Sequence, residues 1–382
     1  MLACQRQLFD LPEDVSYLNC AYMSPLLRSV VAAGTDGLQR KAHPWELTPD
    51  QFFSGAEEFR VVASKLLDCE PGCVAITPSA GYGIQTAARN LKPQPGQAIL
   101  VLDEQFPSNF YPWHRLAEEA GAALKTVAWP ADHDWTSAVL RQLTADVAIA
   151  ALPNVHWTSG GLLDLVRIGQ ACRKNGTALV LDLTQSLGAY PVSLREVQPD
   201  FAAAANYKWL LGPYSLGLLY VAPRWHEGRP LEEGWIQRAN SRDFSSLILY
   251  SQEYDSQARR FDMGERANFA LIPAAIRAMV QILEWKVTEI SQTAGELARH
   301  IAEDASELGF ESPAVPLRAP HYLCLRRTAP IPRELTDMLA REKVFVSVRG
   351  SSIRVAPHVY NSREDCDRLI RCLRRIAVPT AI

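Results

Sequence analysis

Lys208 and Asp182 are the residues of this chain whose types and settings could do chemistry together. Lys208 lies in DFAAAANYKWLLGPYSLGLLYV, 26 positions after Asp182, which follows an apolar run in ALVLDLTQSLGAYPV. A lysine without an acid beside it and removed from water loses the hydration that holds its charge. The neutral amine left behind is a nucleophile suited to forming a Schiff base. An aspartate ending an apolar strand upstream would complete the pair that pyridoxal phosphate (PLP) requires, a lysine for the carbonyl and an acid for the pyridinium nitrogen. Taken singly, the two read as a loop lysine and a capping aspartate. The flanking residues decide between the readings.

Before Lys208 come four alanines and Asn206-Tyr207; after it come Trp209, Gly212-Pro213 and a strand over 216–221. Tight turns on both sides present one lysine at the edge of a sheet. The run 178–181 reads as a buried parallel strand, and open α/β sheets bind ligands at the carboxyl ends of such strands. In combination these segments resemble the aminotransferase class V family of fold-type I PLP enzymes, near kynureninases and cysteine desulfurases. The resemblance runs from Tyr17-Leu18-Asn19 to about Ile370. It implies an α/β fold with a mainly parallel sheet flanked by helices and a smaller α+β C-terminal domain. It also implies an enzyme of amino-acid metabolism, with PLP bound to Lys208 and Asp182 on the ring nitrogen.

The same resemblance assigns further residues. Ser79-Ala80-Gly81-Tyr82-Gly83, between a strand and a helix, offers the backbone N–H groups and helix dipole that favour a phosphate, with Ala80 and Gly81 in contact. Tyr207 matches a phosphate-contacting tyrosine of kynureninases. Trp235, in Glu233-Gly234-Trp235, matches a tryptophan that reaches the phosphate from a neighbouring subunit, which implies a homodimer with shared active sites. Phe106, in Phe106-Pro107-Ser108-Asn109, takes the place of the kynureninase phenylalanine stacked on the pyridine. Asn109 replaces the acid of their Phe-Pro-Thr-Asp. Gln185, three after Asp182, resembles the desulfurase Asp-x-x-Gln, whose amide touches the ring's phenolic oxygen. Arg354, in Ser352-Ile353-Arg354-Val355-Ala356-Pro357, matches the arginine that grips the substrate α-carboxylate through two parallel bonds. Arg349 is a weaker candidate for that carboxylate. His156, in His156-Trp157-Thr158, falls where family members line the substrate pocket.

Two departures stand out. Val348-Arg349-Gly350-Ser351-Ser352 lacks the mobile cysteine of desulfurases, and Cys324 falls within an expected strand. Gly264-Glu265 replaces a Gly-Thr pair whose threonine caps the phosphate across the dimer, leaving that contact to Arg266 or Asn268. The reading is therefore a PLP enzyme acting on an α-amino acid, with transamination ahead of a Cβ-lyase or kynureninase-like hydrolase, a Cα epimerase, or a non-catalytic homologue.

Composition fits. At 382 residues, 48% of them hydrophobic, the chain can bury a large core. A formal charge of −3 argues against a nucleic-acid partner. No apolar run approaches the roughly 20 residues of a membrane span. The N-terminus has no secretory pattern, and the eight cysteines form no disulfide or metal framework, Cys69 and Cys73 included, so no metal is expected and the cytoplasm suits best.

Apolar runs at 74–76, 98–102, 147–152, 179–183 and 216–221 alternate with helical patterns, predicting the parallel sheet. A helix is expected from near Ser24-Pro25 and another over 51–67, with Phe52, Phe59, Val62 and Leu66 on one face. A long helix is expected over 273–297, strands at 322–325, 344–348 and 353–355, and a closing helix over 363–376. The expected division is an N-terminal arm over 1–30, a large PLP-binding domain over 31–272, the linking helix over 273–297, and a small domain over 298–382 completed by the arm.

Overall fold

The computed structural model describes residues 1–328 and 331–377. Its chain begins with a short strand, β1 (Ser16–Tyr17), and then builds a central sheet from β2 (Val74–Thr77), β3 (Ala98–Leu102), β4 (Ala123–Val127), β5 (Val147–Pro153), β6 (Ala178–Asp182), β7 (Phe201–Ala205) and β8 (Gly217–Val221). The seven strands lie in the order β2-β8-β7-β6-β5-β3-β4. All pairings are parallel except those of β8, which runs antiparallel to β2 and β7. Successive residues of a strand face opposite sides, and here both sides are covered. Ile76, Leu100, Leu181, Ala202 and Leu218 join one hydrophobic cluster. Their neighbours Ala75, Ile99, Val180, Ala203 and Leu219 join the other.

β4 and β7 are strands that the apolar runs do not announce. β4 is an edge strand whose residues are mostly half-buried or exposed, so it carries no apolar run. β7 is Phe-Ala-Ala-Ala-Ala, buried throughout, and alanine signals a strand poorly. Its small side chains have a purpose in packing. The helix Ala80–Asn90 lies so close to β7 that a Cβ on Gly83 would sit 2.9 Å from the Cβ of Ala203.

The expected long helix is two. Leu271–Trp285 stops at Lys286, whose φ of 66° breaks the helical run, and Val287–Ser306 follows. The first helix begins at Arg28 rather than near Ser24, and the second at Ser54, after a 3₁₀ turn that holds Phe52. After 306, an antiparallel sheet forms from β9 (Leu323–Arg326), β11 (Ser347–Arg349) and β12 (Ser352–Val355), in the order β11-β12-β9. The expected strand at 344–348 is split. Its first part, β10 (Val344–Phe345), pairs in parallel with β1, and Asn19 bridges Ala356. The first residues of the chain are thereby stitched to this sheet, with Leu18 in the same cluster as Ile301, Leu325, Ile353 and Leu369. The helix Arg363–Ala377 closes it. Among the described residues no helix is long and apolar enough to cross a membrane.

A buried ionic node ties the loop over 255–266 to the sheet. Asp262, wholly buried, accepts from the backbone N–H of Ile76 at 2.8 Å, from both Nη atoms of Arg60, and from Arg266 Nη1 at 2.6 Å. Glu57 sits beside Arg60 and receives Arg259 Nη2 at 2.6 Å. Removing one member of a buried ion pair leaves its partners charged without compensation. Asp262→Ala is therefore expected to lower stability by roughly 3–5 kcal/mol, read by chemical denaturation. A loss below about 1 kcal/mol, the ordinary scale of a surface pair, contradicts the node's role.

Candidate active site

Lys208 is carried by the loop that follows β7. Leu211 N–H donates to the Lys208 carbonyl at 3.0 Å and Gly212 N–H to Asn206 O at 2.9 Å, folding the loop back on itself. The turn holds Leu211 at φ 52°, a left-handed conformation that a branched side chain avoids, and buries it completely. Strain of this kind persists only where the surroundings over-determine it. The residues 20–24 supply part of that support, with Ser24 N–H donating to Tyr207 O at 3.0 Å.

The Lys208 side chain, 6% exposed, enters a cavity of about 360 Å³ at the carboxyl ends of β5, β6 and β7. Its Nζ makes no hydrogen bond or ion pair among the described residues. It lies 5.4 Å from the centre of the Phe106 ring and 5.5 Å from that of Tyr207. Burial lowers the ammonium pKa from 10.5 to about 8, against the pull of the Asp182 carboxylate, and Arg354 adds to the lowering. Asp182 ends β6 and lines the same cavity; Thr184 N–H donates to its Oδ1 at 2.9 Å.

Ala80, Gly81, Phe106, Gln185 and Tyr207 line this cavity too. Ser79 caps the helix Ala80–Asn90, its hydroxyl accepting from Tyr82 N–H at 3.1 Å. The N–H groups of Ala80 and Gly81 find no acceptor among the described residues, as expected of a first helical turn, an arrangement suited to an anion. Gln185 is partly committed elsewhere. Its Oε1 accepts from Trp209 Nε1 at 2.9 Å and its Nε2 donates to Ala21 O at 3.1 Å, leaving one N–H for a ligand.

Other expected residues lie elsewhere. His156 does not line the cavity: it is fully buried, its ring stacked on Trp135 at 4.7 Å and bonded to Ser159 and the Asp103 carbonyl. The chain turns here, Gly160 N–H donating to the His156 carbonyl at 2.8 Å, and it is Trp157 that reaches the cavity, edge-on to Phe106 at 5.3 Å. Trp235, 41% exposed, packs against Phe244 outside the cavity. Arg266 is buried in the ion pair with Asp262, and Asn268 caps a helix, its Oδ1 accepting from Leu271 N–H at 2.8 Å, while neither lines the cavity. Arg354 lies in β12 and is 5% exposed. It donates to the Trp157 carbonyl at 3.3 Å and to Ser347 Oγ at 3.1 Å, with no carboxylate in reach among the described residues.

Asn109, which stands in place of the relatives' acid, lines the cavity wall. Its Oδ1 accepts from Trp113 Nε1 at 2.9 Å, while its buried Nδ2 has no partner. A donor stranded in a cavity wall is expensive unless a ligand accepts from it.

The sequence profile of the aminotransferase class-V family matches residues 45–372. The chain belongs to that family. It is 25% identical over 367 residues to an uncharacterized aminotransferase of Bacillus subtilis (strain 168), covering 94% of each chain. A kynureninase of Bacillus cereus is 28% identical over 233 residues, 57% of this chain and 51% of the relative. The fold matches an apo cysteine desulfurase of Thermococcus onnurineus NA1 with a TM-score of 0.82 at 18% identity, over 99% of both chains.

This class-V protein is a PLP-dependent enzyme acting on amino acids, and its cavity fits the cofactor. The amides of Ala80 and Gly81 and the Nδ2 of Asn109 are donors without acceptors among the described residues, and Lys208 and Asp182 line the same cavity.

Behind the lysine loop, Trp209 packs edge-on against His321 at 4.4 Å, and His358 stacks on Tyr360. Burial lowers the pKa of His156 and His321 to about 4 and that of His358 to about 3, from an ordinary 6.5. A depressed histidine pKa means the unfolded chain binds more protons between the two values. Its stabilising share is complete above pH 6.5 and drains away as pH falls toward 4. The cofactor-free protein is thus expected to lose stability between pH 6.5 and 4, by up to about 3 kcal/mol for His321 alone. Denaturation midpoints across that range check it. His321→Gln should flatten the slope, and an unchanged slope rejects the assignment.

Proposed function

We propose that this enzyme transfers the amino group of an α-amino acid, with Lys208 as the acid–base and Arg354 as the holder of the α-carboxylate. The observation that carries the reading is the pairing of two cations that have no acid bonded to them: the desolvated Lys208 amine in the cavity and the Arg354 guanidinium beside Trp157. When bound, the cofactor draws off the electron pair released as a bond at the substrate α-carbon breaks. The protein's share is positional. Asp182 holds the ring nitrogen protonated, Phe106 covers the ring, and Tyr207 with the amides of Ala80 and Gly81 takes the phosphate. The N–H left on Gln185 is assigned to the ring oxygen. Lys208 Nζ, neutral above about pH 8, accepts the α-proton and can return it at another carbon.

Transamination is supported over desulfuration by the thiols. Cys324 and Cys20 are buried and burial pushes their pKa up, away from a reactive thiolate, and the loop over 348–352 carries no cysteine. A Cβ-lyase or kynureninase-like hydrolase is the second reading, favoured by the Phe106–Asn109, Gly234-Trp235 and Arg354–Pro357 segments and by the kynureninase match.

We assign the exposed Trp235 to the phosphate of a second copy, making the enzyme a homodimer with shared sites. We assign an N-terminal arm over 1–30, a large domain over 31–272, a linking segment over 273–297 that now spans the break at Lys286, and a small domain over 298–382 completed by the arm. Eight unpaired cysteines, most of them buried, suit the cytoplasm.

Lys208→Ala is expected to abolish the visible absorbance of the lysine-bound cofactor after dialysis against an amine, and Arg354→Gln to weaken amino-acid binding about ten-fold or more while leaving the resting spectrum intact. An unshifted titration in Arg354→Gln rejects the carboxylate role. With a panel of amino acids, pyridoxamine phosphate accumulating in the absence of an acceptor marks transamination, whereas pyruvate or alanine released over many turnovers marks the lyase reading. Trp235→Ala should reduce PLP retention. A monomer that keeps PLP despite that change overturns the shared site.

A further inference from the structure

The β11–β12 hairpin pairs Ser347 with Arg354 and Arg349 with Ser352. Directly opposed residues share a face of a sheet, so Arg349 and Arg354 stand on the same side, on a diagonal of about 7–8 Å. Both meet one residue. Arg354 Nη1 donates to the Trp157 carbonyl at 3.3 Å, and the Arg349 guanidinium lies 5.2 Å from the centre of the Trp157 ring. That ring lines the cavity and is edge-on to Phe106. Phe106, Trp157 and Arg349 therefore form a chain of contacts from the cavity wall to an exposed guanidinium.

Arg349 has no carboxylate within 4 Å among the described residues, unlike four arginines of the closing helix. Arg368 and Arg371 pair with Glu364, Arg374 with Asp304, and Arg375 with Glu342. Arg326 and Arg327 are stacked on Trp129 and Phe310. Glu104, the acid bonded nearest to Trp157, takes the Thr158 hydroxyl at 3.2 Å. Two like charges on one sheet face repel, and an anion between them relieves both. The indole under Arg349 orients its planar fork before any ligand arrives, which lowers the cost of binding.

We propose that Arg349 is a specificity-determining residue that recognises a carboxylate on the side chain of the substrate, so that the preferred amino acid is acidic. The proposal rests on Arg354 holding the α-carboxylate. With that end fixed, a short side chain leaving the cavity past Trp157 ends at Arg349, and a carboxylate there completes a charge-assisted bidentate pair.

The test is equilibrium binding of L-aspartate, L-glutamate, L-asparagine and L-glutamine to the PLP-loaded enzyme, by calorimetry and by the cofactor's visible spectrum. The amides match the acids in shape and lack the charge. At least one acid is expected to bind about ten-fold or more tightly than its amide. Arg349→Gln should erase that gap without changing amide binding, and Arg349→Lys should restore part of it. Arg349 is exposed, so its replacement leaves the fold intact. Amides that bind wild type as tightly as acids, or a gap that survives Arg349→Gln, overturn the proposal. Arg354→Gln separates the two readings, because it should weaken all four ligands. If it weakens none, the α-carboxylate assignment fails, whatever Arg349 does.

Discussion

A primary amine kept almost dry, in one cavity with an aspartate that does not touch it, is the constraint around which this structure is arranged. The drop of the Lys208 pKa from 10.5 to about 8 corresponds to roughly 3 kcal/mol of disfavoured charge. A bonded acid at hydrogen-bond distance would remove that penalty and, with it, the nucleophile. Asp182 is instead set back at the end of β6, steadied by the Thr184 amide, while Lys208 projects from the loop beyond β7. Keeping the two apart requires rigid supports. The left-handed Leu211, the doubled-back loop and the Trp209–Gln185–Ala21 chain of hydrogen bonds provide them.

The chemistry was more legible in the sequence than the geometry. Lys208, Asp182, Phe106, Gln185, Tyr207 and the Ser79–Gly81 turn stood out because residue type and local turn signals mark them, and one cavity gathers them all. What escaped depends on non-local facts. β7 was hidden because alanine promotes strands only when both faces are covered, and coverage is a tertiary property. The break at Lys286 has no glycine or proline to announce it. His156 and Trp157 differ by one position, and the phase of an irregular segment cannot be read from composition. Two aromatic walls, Trp129 and Trp135, hold the histidine away from the cavity.

The departure at Gly264-Glu265 becomes intelligible from the packing around Asp262. Arg266 cannot serve an anion while its charge completes a buried carboxylate that already binds Arg60 and the amide of Ile76. Glu265 is exposed, and Glu232 links the same loop to the helix Ala80–Asn90 by accepting from Tyr82 Oη at 2.9 Å and from Gly264 N–H at 2.7 Å. On the proposed assignment, the anion is left within one chain to backbone amides and Tyr207 rather than to a side-chain cation. Such a site is only as good as the placement of its helix, because the dipole acts within the first turn. That placement rests on Gly83 lying against the sheet, where a Cβ would come within 2.9 Å of Ala203 and 3.3 Å of Leu219. Any larger side chain at 83 would push the helix off the sheet and move the amides of Ala80 and Gly81 with it. On that assignment the phosphate end of the cavity is set by two small residues outside its lining, one in the helix and one in the alanine strand that leads into the Lys208 loop.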